Sequence, residues 1–326
     1  MSMKPLPMRD VFLEKIWLEM SVNSSIFFIS ADFGSPVLDK IREDFPDRFI
    51  NVGIAEQNLI NITAGLAIEG YTVFAYAIAP FITMRCFEQI RVSLALLSEV
   101  RPMNVNLIGV GAGYSYVVSG PTHQCYEDIT IMRALPNFQV LSPADHITTS
   151  ALFDSCVATN GLRYLRLDAQ VQPVLYPLEL PVPSDGFHLH KKGSKVCFIA
   201  TGFMVHTAFK AAEEINKNGF KVGIIDIFNL TNFSKEGLKK VLESYSAIVS
   251  FEEGFRGRGG LDSMLFEFIA ESKLNLKTLS IGVDPGYSFE LGSRNELHEK
   301  VGIGNKSAMK KILPFVQTIM NKIKER

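Results

Sequence analysis

Two doubly wound α/β domains, one in each half of the chain, are what the sequence predicts, and three observations carry that expectation. Short apolar runs alternate with helix-length segments through both halves, which calls for parallel sheets covered on both faces. The length, 326 residues, suits two domains better than one. Between the halves, from Asp168 to Lys192, the pattern dissolves into a segment carrying Pro173, Pro177, Pro181 and Pro183, a linker by composition. The expected domains are therefore 1–167 and 193–326, joined by 168–192.

The elements follow in order. Residues 5–20 place Met8, Val11, Phe12, Ile16 and Trp17 on one side of an amphipathic helix. Ile26–Ser30 reads as a short buried strand ending in Ala31, Asp32, Phe33 and Gly34. A polar loop after a buried parallel strand lies where open α/β sheets bind ligands. Asp32 is either part of such a site or an ordinary turn residue. Phe49, Ile50 and Val52 form the next apolar run. The chain then turns at Gly53 and enters a helix with Ile54, Leu59, Ile62, Leu66 and Ile68 near helical spacing. Gly65 and Ala67 suit the close approach of a neighbour. Gly70 stops this helix, and Tyr71–Tyr76 reads as a buried strand.

A helix from about Arg85 to Val100 and a strand at Val105–Ile108 lead into the loop GVGAGYSYVVSGPTHQ. Its GxG carries no dinucleotide fingerprint, because no helix opens directly after Gly113. Close backbone approach is its expected use. His123 and Gln124 are expected to open a helix running towards Leu135. Phe138–Leu141 (strand), Ala144–Val157 (helix) and Arg163–Leu167 (strand) complete the first domain. The second begins with a strand at Lys195–Ala200 and a turn at Thr201-Gly202. A helix to Asn218, a strand Lys221–Ile227, a helix from Ser234 and a strand Ala247–Phe251 follow, then EEGFRGRGG.

Composition narrows the function. Hydrophobic residues make up 47% and charged residues 21%, ordinary proportions for a globular chain. A net charge of −1 argues against nucleic acid or an anionic membrane as a main partner. No apolar run approaches the roughly 18 residues that span a bilayer, and MSMKPLPMRD lacks the apolar core of a signal peptide. The four cysteines show neither CxxC nor metal-ligand spacing, so a reduced cytoplasm is the expected compartment.

Glu56 is the one carboxylate at the start of its helix, in apolar surroundings. Negative charge in a first turn is stabilised by about 0.3–1 kcal/mol, so a helix cap is the ordinary reading. The sharper reading is a buried carboxyl placed to exchange a proton or hydrogen bond with a heterocycle. Three motifs tip the balance: NVGIAEQN around Glu56, Phe81 followed by Arg85 and EQIR, and SGPTHQ at 119–124. In this order they resemble the pyrimidine-binding domain of transketolase and deoxyxylulose-phosphate synthase, both thiamine-diphosphate enzymes. The resemblance runs from about Ala31 to Arg166 and more loosely beyond. EEGFRGRGG resembles the loop before a helix in the transketolase C-terminal domain, where Glu252 and Glu253 read as interface or fold features.

The resemblance implies a role for each matched residue. Glu56 would hydrogen-bond the far nitrogen of the cofactor's pyrimidine, with an apolar surround that lets it keep or share its proton. Phe81 would stack on that ring, although a gapless match back from Arg85 puts Ile82 there. Asp32 and Arg85 would lie close to the cofactor, and His123 would contact the reacting carbon skeleton. RYLRLD resembles RYPRG of the synthase, which makes Arg166 a substrate-phosphate ligand; a strand-end surface ion pair is its plainer reading. Two departures concern the substrate. Ser119 stands where the usual DGPTHQ has an Asp that recognises an aldose hydroxyl, and LIGVGAGYSYVV lacks the family's upstream basic residue.

Nothing in the sequence resembles the GDG-containing segment that holds the diphosphate through a divalent metal. The resemblance therefore implies the C-terminal subunit of a split transketolase, transferring a two-carbon ketol unit between sugar or sugar-phosphate substrates. A separate N-terminal subunit would hold most of the Mg2+ and diphosphate contacts, and a homodimer core would give a heterotetramer. The alternatives are the β chain of a 2-oxo-acid dehydrogenase's decarboxylating component, a split deoxyxylulose-phosphate synthase, and a catalytically silent paralogue.

Overall fold

The structure, a computed structural model, describes residues 4–177 and 184–324. The first sheet contains β1 (Ile26–Ser30), β2 (Phe49–Asn51), β3 (Thr72–Ile78), β4 (Asn104–Val110), β5 (Phe138–Leu141) and β6 (Gly161–Leu167). All six are parallel, in the order β2-β1-β3-β4-β6-β5. All seven residues of β4 are buried, as a central strand covered on both faces requires.

The second sheet contains β7 (Phe187–Lys191), β8 (Val196–Ala200), β9 (Gly223–Ile227), β10 (Ala247–Phe255) and β11 (Lys277–Val283), in the order β11-β10-β8-β9-β7. It is mixed, because β7 runs antiparallel to β9 at one edge. That edge strand lies inside 168–192, the stretch expected as linker. The prolines stop short of Phe187, whose side chain is buried in the core. Residues 178–183, with Pro181 and Pro183, lie outside the described residues. The segment before them is anchored: the Leu175 and Tyr176 amides donate to Asp145 Oδ2 at 2.7 and 3.1 Å.

The first helix, Met8–Val22, buries Met8, Phe12, Leu13, Ile16 and Met20 at helical spacing. Val11 and Trp17 sit at the edge of that face. Fully burying each such side chain contributes about 1.5–3 kcal/mol. One apolar cluster joins the two units: Ile129, Met132 and Leu135 pack in the same core as Leu230, Leu261 and Leu265. An isolated bridge between Leu141 and Asn229 adds a backbone link.

Two expected helices come out differently. The helix expected over 85–100 begins earlier and contains two π-helical segments, Phe81–Arg85 and Ile90–Leu96, around a short α turn at Phe87–Gln89. The helix expected from His123 is Asp128–Arg133 only. Cys125 forms an antiparallel bridge with Gly113, closed by N–H···O bonds of 2.9 and 3.1 Å. That pairing holds the chain out of helical geometry until it has passed. Among the described residues no helix is long and apolar enough to cross a membrane.

Candidate active site

All the sequence-predicted residues except Arg166 follow the C-terminal ends of β1 to β4, where an open parallel sheet presents its loops. β1 and β2 are in register, with Ser30 opposite Asn51. Asp32 follows β1 in a left-handed conformation, φ +53°. It is exposed, and its amide and carboxylate both bond Asn51, at 3.1 Å each. Asn51 Oδ1 also accepts the Gly53 amide at 3.0 Å, which fixes the turn into the next helix. Sequence reading missed Asn51. The signal was a polar residue at a strand end, two before a glycine that takes φ +73°.

Glu56 opens the helix Glu56–Ile68 and is 2% exposed. Its Oε2 accepts a 2.7 Å bond from Arg85 Nη1. This corrects the expected surround: the carboxyl has a cationic partner rather than an apolar shell. Oε1 has no hydrogen-bond partner among the described residues. Ile54 is three-quarters exposed and lies ahead of the helix, outside its apolar face.

Arg85 is 44% exposed and also covers the Phe81 ring, its Cζ 4.3 Å from the centroid. Both residues sit in the first π segment, a feature frequent at functional sites. The Phe81 ring meets the His123 ring edge-on at 5.2 Å. Ile82 is fully buried in the core, so of the two stacking candidates only Phe81 borders the site. His123 Nδ1 lies 3.0 Å from Thr122 Oγ1, and Tyr116 approaches the imidazole at 6.4 Å. Ser119 is exposed on the same loop. Glu56, Arg85, Phe81 and His123 thus form one continuous set of contacts.

Arg166 does not join it. Its side chain is 2% exposed, and Nε donates to Asp128 Oδ2 at 2.8 Å. Tyr164, on the same face of β6, donates to that oxygen at 2.8 Å. The alternation of the strand turns both side chains inward onto a buried acid. Arg166 is therefore neither a surface ion pair nor a guanidinium open to a substrate phosphate.

Arg9 is a cation that sequence reading missed. It pairs with Asp10 at 2.7 Å and lies within electrostatic reach of Tyr76 and Tyr116, the latter bordering His123. Burial pushes the Tyr116 phenol up to about 12, against the pull of Arg9. An arginine in the first turn of an amphipathic helix carries no motif, which is why it passed unnoticed. Among the described residues no cluster of three or more metal-ligating groups occurs.

Comparison with known proteins bears on this arrangement. The family model "Transketolase, pyrimidine binding domain" matches residues 4–172, and "Transketolase, C-terminal domain" matches 186–307. A putative transketolase C-terminal section of Methanocaldococcus jannaschii is 32% identical, over 89% of this chain and 90% of that protein. One of the subunits of the apulose-4-phosphate transketolase of Actinobacillus succinogenes is 30% identical, over 80% of this chain and 82% of its own. Among solved structures, a split-gene transketolase described as an inactive β4 tetramer superposes with a TM-score of 0.83 at 28% identity, covering 97% of this chain and 99% of that one. Transketolase from Campylobacter jejuni shares the fold, with a TM-score of 0.79 at 20% identity over 95% of this chain and 47% of its own. This chain belongs to the transketolase family, and it carries that family's pyrimidine-binding and C-terminal domains.

Proposed function

We propose that the chain is the C-terminal subunit of a split transketolase that transfers a two-carbon ketol unit from a ketose to an aldose, together with a separate N-terminal subunit. The observation that carries this reading is the Glu56–Arg85–Phe81–His123 constellation at the mouth of the first sheet. Correspondence, over most of their length, with proteins named as a transketolase C-terminal section and as one of a transketolase's subunits supports the split arrangement.

The residues fit thiamine diphosphate at its pyrimidine end. A buried carboxyl with one unengaged oxygen stands beside a partly exposed aromatic ring. When bound, that cofactor supplies the carbanion chemistry that breaks and forms the carbon–carbon bond. Glu56 would hold the pyrimidine through Oε1 while Arg85 fixes Oε2. Phe81 would offer an apolar face, worth about 0.5–1.5 kcal/mol beyond its area. Asp32, held by Asn51, would border the same site. His123, with Nδ1 engaged by Thr122, would hold or move a proton at Nε2 against the substrate. Most Mg2+ and diphosphate contacts fall to the N-terminal subunit.

A homodimer core, giving a heterotetramer in the cytoplasm, completes the reading. Gly65, expected to admit a neighbour, faces open space within one chain. It shares an apolar groove with Ile68, Val92, Leu96 and Val100, a surface suited to close packing between chains.

Substrate choice rests on Ser119 and Arg166. Serine offers no charge-assisted bond to an aldose hydroxyl, and Arg166 is committed to Asp128. Ordinary pentose phosphates are therefore expected to be poor substrates, with a sugar of modified or bulkier end preferred. The test is ketol transfer by this chain mixed with its N-terminal partner, thiamine diphosphate and Mg2+. Transfer above that of either chain alone supports the function. Micromolar or tighter cofactor binding by this chain alone would overturn the split site. A kcat/KM of about 10⁴ M⁻¹s⁻¹ or more on xylulose and ribose phosphates would overturn the substrate reading.

A further inference from the structure

The proposed chemistry makes no use of a cluster of charges buried where the two units meet. Glu253, near the end of β10, accepts Arg294 Nε and Nη2 at 2.9 and 2.6 Å and His298 Nε2 at 2.7 Å. Arg294 Nη1 donates to Asp168 Oδ2 at 2.5 Å, on the residue that follows β6. The guanidinium also lies 3.6 Å from the centroid of the Phe203 ring. Glu253, Arg294, Asp168 and His298 are all buried.

This cluster reaches the base of the loop that bears Ser119 and His123. Gly113 and Cys125 close that loop with their two backbone bonds. Glu253 Oε1 accepts the Tyr114 amide at 3.4 Å. A Cβ at Gly113, whose φ is +55°, would collide with the Glu253 carboxyl group. Arg166 bonds the Cys125 carbonyl at 3.4 Å, and Gln170 bonds the Ser115 carbonyl at 2.9 Å. Exposed loops are mobile unless tied at the base, and a fork-and-carboxylate pair permits one relative geometry. Apolar packing of similar volume would join the units as well. What the charged pair adds is direction.

We propose that the second unit positions His123: Glu253 and Arg294 hold the base of loop 113–125 and so fix where the imidazole stands. The inference rests on the reading of His123 as an acting group, and its two experiments separate the claims. Hydrogen exchange on the purified chain compares wild type with Arg294→Met, Arg294→Lys and Glu253→Gln. Peptides within 113–125 should exchange at least about tenfold faster in Arg294→Met and by an intermediate factor in Arg294→Lys, with Val196–Ala200 unchanged. Unchanged loop exchange, or equal loosening of the whole second unit, would overturn the proposal. If Arg294→Met does not fold, the same comparison on the other two variants decides.

In the complex with the N-terminal subunit, kcat should fall on the order of 10–100-fold in the folded variants, with KM for the donor sugar nearly unmoved. Leu242→Ala, a buried apolar change outside the cluster, should leave kcat near wild type. Equal losses in both would reduce the cluster to a structural role. An inactive wild-type complex would sink the proposed function and leave the exchange result to judge the loop.

Discussion

Glu56 and Glu253 make an instructive pair. Each is a carboxylate about 2% exposed, each sits near the C-terminal end of a strand paired in parallel, and each is bonded by an arginine. The rest of their surroundings differ. Glu253 accepts four donors from inside the protein, and its arginine is itself buried. Glu56 accepts one, and its arginine is nearly half exposed. Burial alone therefore says little about purpose. Unused hydrogen-bonding capacity beside a solvent-facing partner is what the proposed function requires of Glu56, and Glu253 lacks it.

The sharpest way to break that comparison is Glu56→Gln in the reconstituted complex. Turnover should fall on the order of 10²–10⁴-fold, the range for lost acid–base help, while the melting temperature holds. An unchanged rate would return Glu56 to a helix-start role. The counterpart is Glu253→Ala, which leaves the buried Arg294 with Asp168 as its remaining acidic partner and should cost up to about 3–5 kcal/mol in urea unfolding. Glu56→Ala leaves Arg85 free to hydrate and should cost only about 1 kcal/mol or less. Equal losses would mean the two sites are alike after all.

Neighbours on β10 sharpen the contrast through pH. Burial holds the Glu252 carboxyl up at about 7, although it accepts the Leu261 and Asp262 amides at 2.9 Å each. Between its unfolded value, about 4.3, and about 7, the folded chain keeps a proton that the unfolded chain has lost. Stability through Glu252 should thus decline as pH rises across that window, by at most about 1.4 kcal/mol per pH unit. Glu253 goes the other way: Arg294 and His298 outweigh burial and hold it well below the usual carboxylate range. Its contribution is present above the unfolded value and is lost as pH falls through the folded one. Urea midpoints of wild type should therefore fall relative to those of Glu252→Gln as pH rises from about 4.5 to about 7 and run parallel to them above that, so a pH-independent difference would refute the Glu252 assignment.

The smallest effect separates Phe81 from Ile82. Phe81→Ala should weaken thiamine diphosphate binding to the complex by at least about 0.5–1.5 kcal/mol, the stacking contribution alone, read by titration calorimetry. Ile82→Ala should spare binding and instead cost about 2–5 kcal/mol of stability. The reverse pattern would move the stacking position by one residue.

How much of this was legible beforehand depends on whether the determinant is local. The strand Ile26–Ser30 and the helix ending at Ile68 follow from periodicity and a stopping glycine, and both were readable. The helix expected from His123 was not, because the Gly113–Cys125 bridge that delays it joins residues on opposite sides of a loop. β7 was lost behind the prolines, since its pairing partner β9 lies a full strand–helix crossover away. Arg166 and Arg9 show the same limit in the site. Whether an arginine meets a buried Asp128 or sits near Tyr116 is set by tertiary packing that no short motif encodes.

The two π segments on either side of Phe87–Gln89 have a consequence for how sequences of this kind should be compared. A π turn holds one residue more than the α turn it replaces while keeping the direction of the flanking helix. Chain length within 81–96 can therefore change by one without rotating what comes before or after. That is the offset that set Phe81 against Ile82. An alignment forbidden to open a gap here will pair a ring that borders the site with a side chain locked in the core. Single-residue deletions in Ile90–Leu96 should for the same reason be better tolerated than deletions in the regular helix Glu56–Ile68, which has no spare residue to give up.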